Sequence, residues 1–218
     1  MSDNYVCVKE HYDTLIIEGD DPCHDSKELQ KYMERWTGDK FIELLDIDKD
    51  KVILEVGIGT GRIARKVLAQ GCKKLVGMDI SPLTLKRASE NLVDYKNVEL
   101  VEGDIIEYLG TERYDTAYSV LTFMHIDDKK QALKSIINSL KMEGNIVLSV
   151  DSNQDDYIDY GNRKIHVFPS DINQIIGYLE ELGCVTTEII KLEDNNMEIA
   201  TVIKAVKNTN IHNIEYLK

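Results

Sequence analysis

Proline is scarce in this chain, with three in 218 residues, and tryptophan occurs once. No stretch is rich in Gly, Pro and Ser, and no segment repeats, which excludes a flexible linker between modules and a solenoid. The four cysteines stand at 7, 23, 72 and 184. No two are close enough for a Cys-x-x-Cys metal or redox motif, so they are expected to be reduced thiols. His11, His24 and His212 have no ligand spacing either, and no metal is expected. No uncharged apolar run approaches the roughly 20 residues of a membrane span. Met1-Ser2-Asp3-Asn4-Tyr5 lacks the basic start and apolar core of a signal peptide, so a soluble cytoplasmic protein is expected. Positive charge is also short: 26 Lys and Arg face 39 Asp and Glu, a formal charge of −13. Such a field repels phosphate backbones and anionic lipids, making nucleic acid and membrane poor partners.

What is present is an ordinary globular composition, 43% hydrophobic and 30% charged, on a chain able to bury roughly 70% of its unfolded surface. One domain is expected, with a cap over 1–45, a core over 46–206 and a tail over 207–218. Residues 1–25 read as irregular. From Ser26 to Leu45 apolar residues recur every three or four positions (Leu29, Tyr32, Met33, Trp36, then Phe41, Leu44, Leu45), with Gly38 dividing two helices.

The period changes at Lys51. Val52-Ile53-Leu54-Glu55-Val56 is the nearly continuous apolar run of a strand buried on both faces. A glycine turn and a helix to Gln70 follow, then a strand over Leu75–Asp79. Ser81 and Pro82 provide an N-cap and a first helical residue. Strands at Val98–Val101, Tyr114–Val120 and Asn145–Val150, a helix from Asp128 to Leu140, a helix from Ser170 to Leu182, and runs at Val185–Lys191 and Ile199–Val206 complete the pattern. The last two are joined by the turn-prone Glu193-Asp194-Asn195-Asn196. The alternation predicts an α/β fold: an open, mostly parallel sheet with helices on both faces and a closing hairpin.

In such sheets ligands bind beyond the carboxyl ends of the strands. The first strand there is followed by Gly57-Ile58-Gly59-Thr60-Gly61, which permits a tight turn and a close approach of backbone to ligand. Arg62 stands where a dinucleotide fingerprint needs glycine, and no Gly-Lys-Ser/Thr ending marks a phosphate loop. Glu55 is a charge in a buried run, either ion-paired to a helix or facing a cationic ligand group. Asp79 ends the second strand 79 − 57 = 22 residues after the first glycine, where an acid can accept both ribose hydroxyls. Asp104 ends the third, placed to receive an exocyclic amine.

Leu54-Glu55-Val56-Gly57-Ile58-Gly59-Thr60-Gly61, Gly77-Met78-Asp79-Ile80-Ser81, Glu102-Gly103-Asp104-Ile105, Tyr114-Asp115-Thr116-Ala117-Tyr118-Ser119 and Leu140-Lys141-Met142-Glu143-Gly144 occur in one register. Over residues 40–206 this resembles the class I S-adenosylmethionine-dependent methyltransferases. The resemblance implies a Rossmann-like sheet of seven strands, the last antiparallel, with an N-terminal helical cap. It implies S-adenosylmethionine as cofactor and S-adenosylhomocysteine as product. Gly57, Gly59 and Gly61 would cradle the methionine part, with Glu55 orienting the turn or reaching the amino group. Asp79 would hold the ribose, Ile80 pack on the adenine, Asp104 and Ile105 read its edge, and Ser119 and Val120 offer backbone to the amino acid part. Ser119-Val120-Leu121-Thr122 replaces the Asn/Asp-Pro-Pro-Tyr of amino-methylating DNA and protein-glutamine enzymes, and Met142-Glu143-Gly144 stands where Pro-Gly is usual.

Methyl transfer needs an aligned acceptor, exclusion of water and, for a protonated acceptor, a base. His125, in the loop after the fourth strand, is the candidate base or else a packing histidine; Asp127 and Asp128 read as capping acids. Tyr157, Tyr160, Arg163 and His166 lie in the long connection from Asp151 to Pro169, a substrate wall or a solvated crossover. Tyr12 and Trp36 either cover ligand or pack on the sheet, and the acidic Glu18–Asp21 segment is solvated or attracts a cationic acceptor. The leading expectation is a small-molecule methyltransferase, monomeric or homodimeric. A protein or peptide methyltransferase, or a non-catalytic binder of the cofactor, are the alternatives.

Overall fold

The computed structural model describes residues 4–107 and 109–208; His212 and positions 209–218 of the expected tail lie outside it. In chain order the elements are β1 (Tyr5–Val6), α1 (Val8–Glu18), α2 (Lys27–Glu34), α3 (Phe41–Leu44), β2 (Val52–Val56), α4 (Arg62–Gln70), β3 (Lys74–Asp79), α5 (Pro82–Asn91), β4 (Val98–Glu102) and β5 (Tyr114–Val120). A 3-10 turn (Phe123–His125) leads to α6 (Lys129–Ser139), β6 (Leu140–Asp151), β7 (Tyr157–Asp159), β8 (Lys164–His166), α7 (Ile172–Glu181), β9 (Cys184–Asp194) and β10 (Met197–Lys207).

Seven strands form one sheet in the order β4-β3-β2-β5-β6-β10-β9. The first five are parallel, and β10, the last strand, runs antiparallel between β6 and β9. The strand alternation divides the core. Leu54 and Val56 face a layer with Leu133, Ile136 and Ile137 of α6 and Ile175 and Leu179 of α7. Ile53 and Tyr118 face Phe41 of α3, Ile63 and Val67 of α4 and Leu85 of α5. Helices on both faces follow from a sheet that is apolar on both. Asn195 and Asn196, at φ 52° and 63°, make the left-handed two-residue turn that closes the hairpin β9–β10. Ser81 caps α5 by accepting from Thr84 N, with Pro82 as its first residue.

The N-terminal segment departs from the irregular course expected. Val8–Glu18 is a helix without a side-chain N-cap, ended by Gly19 in the left-handed region, whose N–H bonds to Ile16 O. Val8, Tyr12 and Leu15 at spacings of four and three carry a helical period, too weakly apolar to stand out. Tertiary contacts make up the difference: Asp13 accepts from Ser81 Oγ (2.7 Å) and Leu83 N (3.3 Å), tying α1 to the start of α5. The stretch after β6 is likewise no solvated crossover. The hairpin β7–β8 pairs with β1 in a second, three-stranded sheet, Tyr5 opposite Lys164 and Val6 opposite Ile165. The Tyr5 ring stacks on His166 at 4.0 Å, and Arg163 meets both oxygens of Glu18 at 2.7 and 2.8 Å. The two segments thus form one roof. Buried Lys129 holds it down, donating to Ile126 O (2.8 Å) and Phe168 O (2.7 Å), while Phe168 N donates to Met124 O.

Between the helix expected to end at Leu140 and the strand expected from Asn145 there is no separate loop. Strand β6 begins at Leu140, immediately after α6, and these residues form a register irregularity with β5, Glu143 at φ 62°. Lys141 pairs there with Asp115 at 2.7 Å.

Candidate active site

Beneath the roof, at the carboxyl ends of β2, β3, β4 and β5, lies a cavity of about 570 Å³. Its floor is the glycine turn. Gly57 N and Ile58 N both donate to Met78 O (2.8 and 3.0 Å), bending the chain back over β3. At φ 72° Gly57 admits no side chain, since a Cβ would lie 2.1 Å from Thr122 Oγ1. Gly59, at φ 57°, has open space where its Cβ would be: the cavity itself. Gly61 stands apart from the wall, as the N-cap of α4 against Leu92. The next loop is also constrained, because Leu121 holds φ 56°, an unfavourable conformation for a non-glycine residue, between the floor and Thr122.

Five acidic residues line this space. Glu55, 3% exposed, accepts a hydrogen bond from Tyr118 Oη at 2.6 Å. Burial pushes its carboxyl up to about 8, against the opposing pull of that bond and of Arg62, so it carries a proton at neutral pH. The ion pair to a helix weighed for it is absent among the described contacts. Asp79 accepts from Gly59 N (2.9 Å) and Ser81 N (3.0 Å), and burial raises its carboxyl in spite of these bonds. Asp104 accepts from Ile106 N at 3.1 Å. Asp127 and Asp128 both lie on the wall, and Asp128 also caps α6 by accepting from Gln131 N (2.9 Å).

The lining also includes the apolar Val8, Met33, Ile126 and Phe168, and a polar pair. Tyr12 Oη and His125 Nε2 share a hydrogen bond at 2.8 Å, joining α1 to the loop after β5. His125 Nδ1 is buried without a partner. Burial, with His11 and Lys129 nearby, lowers His125 to about 4, keeping it neutral, and burial raises the Tyr12 hydroxyl well above the ordinary tyrosine value.

Most residues singled out from the sequence come together here: Glu55, Gly57, Gly59, Asp79, Ile80, Asp104, Ile105, Val120, Tyr12 and His125 all line the cavity. Ser119 does not. Its hydroxyl donates to Val56 O (2.9 Å) inside the sheet, because strand alternation turns it away from the end where Val120 emerges. Tyr157, Tyr160 and Arg163 are corrected too, as roof scaffolding and not walls. Tyr157 and Tyr160 are exposed, the Tyr160 ring lies 4.4 Å from His11, and Arg163 is spent on Glu18 and on His11 Nδ1 (3.1 Å). Trp36 is off the cavity, its carbonyl accepting from Ser149. Sequence reasoning missed Arg62, Thr122, Met33 and Phe168; of these only Arg62, next to the glycine turn, had a local signal. Among the described residues no three His, Cys, Asp or Glu side chains converge as metal ligands would, and no helix is long and apolar enough to cross a membrane.

A methyltransferase-domain family model matches residues 54–148, from the middle of β2 to the middle of β6. Over this stretch the chain is similar to methyltransferase domains, and it shares its fold with solved S-adenosylmethionine-dependent methyltransferases. The cavity has features that S-adenosylmethionine would need: an opening over Gly59, a carboxylate at the end of β3 and another beyond β4. A malonyl-[acyl-carrier protein] O-methyltransferase of Ilyobacter polytropus is 34% identical over 103 residues, 47% of this chain and 38% of that protein. A tRNA U34 carboxymethyltransferase of Helicobacter pylori is 31% identical over 159 residues, 66% of this chain and 60% of that one. The chain therefore spans between about a third and 60% of the length of such curated relatives. Magnesium protoporphyrin IX methyltransferase of Synechocystis PCC 6803, solved with S-adenosylhomocysteine, shares the fold at a TM-score of 0.71 and 15% identity, covering 92% of this chain and 98% of that one.

Proposed function

We propose that this chain is an S-adenosylmethionine-dependent methyltransferase acting on a small-molecule acceptor, which it encloses between the glycine turn, the loop after β5 and the roof. The observation carrying this reading is that Tyr12, brought by the roof helix α1, and His125, at the end of β5, meet inside the same cavity as Gly59 and Asp79. An enclosed, apolar acceptor end suits a small molecule better than a protein surface, and the charge of −13 disfavours a nucleic-acid acceptor. Bound S-adenosylmethionine supplies a methyl group on a sulfonium, already reactive. Asp79 would hold its ribose, Asp104 and Ile105 its adenine, and Gly57 and Gly59 its methionine part. Roof closure excludes water and aligns the acceptor. Since His125 Nδ1 is inaccessible and Nε2 is capped by Tyr12, a proton leaving the acceptor passes to the Tyr12 oxygen as Tyr12 hands its own to Nε2. Incubating the protein with methyl-labelled cofactor and a metabolite extract tests the proposal; label in a protein or RNA fraction instead of a small molecule would refute it.

Two binding measurements check the cofactor residues by calorimetric titration with S-adenosylhomocysteine. Asp79→Ala should weaken binding by about 1.5–3 kcal/mol, the scale of hydrogen bonds to a charged group, with the fold intact; parental affinity would place the ribose elsewhere. Affinity should also depend on pH through Glu55, whose ionised form faces the ligand's ammonium. Below pH 8 the free protein holds a proton there that binding must expel, so affinity climbs toward pH 8 by at most about tenfold per unit. Above that the ligand's own amino group, near 8, deprotonates and affinity falls. In Glu55→Gln the rise below pH 8 should vanish; an unchanged slope would assign it to another group.

A further inference from the structure

The backbone on both sides of His125 is held from outside its own loop. Within the 3-10 turn, His125 N donates to Thr122 O (3.0 Å) and Ile126 N to Phe123 O (3.2 Å). The carbonyls flanking His125 go to other elements: Met124 O accepts from Phe168 N (2.7 Å), where the roof ends, and Ile126 O accepts from Lys129 Nζ (2.8 Å), in the first turn of α6. The same ammonium donates to Phe168 O (2.7 Å). Lys129 and Phe168 thus close a ring of hydrogen bonds around the backbone of His125. Phe168, Ile126 and His125 line the cavity, and Lys129 stands behind them.

Lysine is a costly residue for this place. It is 6% exposed and sits where the helix dipole favours an anion. Among the described residues no carboxylate pairs with it, Asp151 and Asp127 acting only through space. A methionine would fill the same volume without burying a charge. What the ammonium adds is a directed link between two carbonyls and a positive charge close to the imidazole.

We propose that Lys129 is a positioning residue for the reaction: by tying Ile126 to Phe168 it fixes where His125 meets Tyr12 and couples that pair to the closed roof. This rests on the reading of Tyr12 and His125 as the proton-accepting pair and deepens it, since it names what holds the pair in place. The groups facing the imidazole are Tyr12 and His11 of α1 and Lys129 of α6. His11 accepts from Arg163 at Nδ1 and is lowered to about 4 by burial and by that guanidinium, so it is neutral. Lys129 is therefore the fixed cation of the three, and it opposes protonation of His125.

The test first reads the free protein, with no acceptor present. The His125 ring-proton NMR signal is assigned by its loss in His125→Ala. In Lys129→Met, which keeps the apolar stem, this imidazole should titrate about one pH unit higher than in the parent. The Phe168 amide should exchange with solvent at least about tenfold faster, as a locally released segment does. Lys129→Gln should move both signals the same way, and Lys129→Arg, which keeps the charge and the N–H donors, should restore most of the parent's behaviour. S-Adenosylhomocysteine affinity, by calorimetry, should be nearly unchanged in all three. If both signals stay parental in whichever of the Met and Gln variants folds, the proposal is wrong and the proton-accepting reading stands. On the acceptor that labelling identifies, Lys129→Met should lower turnover about 10- to 100-fold in the parent and have little further effect in His125→Ala, since residues acting as a unit are not additive. Equal losses in the two backgrounds would mean that Lys129 acts apart from His125 and would overturn the positioning role. If His125→Ala turned over like the parent while Lys129→Met still moved both signals, the proton-accepting reading would fall and Lys129 would be a structural tie only.

Discussion

Replacing His125 by alanine should lower turnover by about 100- to 10,000-fold, the range for losing a positioned acid or base, with S-adenosylhomocysteine affinity nearly unchanged. The separation of effects follows from the contacts: His125 shares its hydrogen bond with Tyr12, whereas Asp79 accepts from the Gly59 amide of the glycine turn. Tyr12→Phe should lose nearly as much, because it removes the hydroxyl through which Nε2 is reached. The pH profile is a second signature. With His125 lowered to about 4, the parent's base is already neutral over the ordinary pH range, so its contribution should hold steady above about pH 5 and fail only as pH drops toward 4. Turnover of His125→Ala close to the parent's at every pH would make this histidine a packing residue and leave alignment alone to drive the reaction.

Gly59→Val should abolish measurable cofactor binding, a loss of at least about 100-fold. A Cβ here meets no protein atom within 4 Å, so the protein tolerates the start of a side chain where the ligand would lie. The left-handed backbone at φ 57° adds strain of about 1–2 kcal/mol for a residue with a Cβ, which at this chain length lowers Tm by about 2–8 °C. Gly59→Ala should retain more binding than Gly59→Val. Calorimetry and thermal unfolding on the same samples separate the two effects: a folded Gly59→Val with parental affinity would mean that the ligand does not approach the turn.

Sequence alone determined the central sheet and the glycine turn that floors the cavity, because both depend on residues close together in the chain. Val52–Val56 is apolar on both faces and so must lie between two layers of helices; Gly57 and Gly59 permit backbone angles that few other residues tolerate; and Asp79 and Asp104 end strands, which puts them on the ligand-binding edge of any parallel sheet of this hand. Tertiary structure decided the rest. Helix α1 has no cap of its own and depends on Ser81 and Leu83, roughly 70 positions away, so its existence was not legible locally. Tyr157, Tyr160 and Arg163 belonged to the roof because β8 pairs with β1 and Arg163 finds Glu18, 145 residues distant. The same long-range docking brought Tyr12 to His125 across 113 residues and left Arg62 Nη1 buried without a counterpart. A hydrogen bond across such a separation is set by how packed layers come to rest on each other, a property of the whole core that no local spacing of residues encodes.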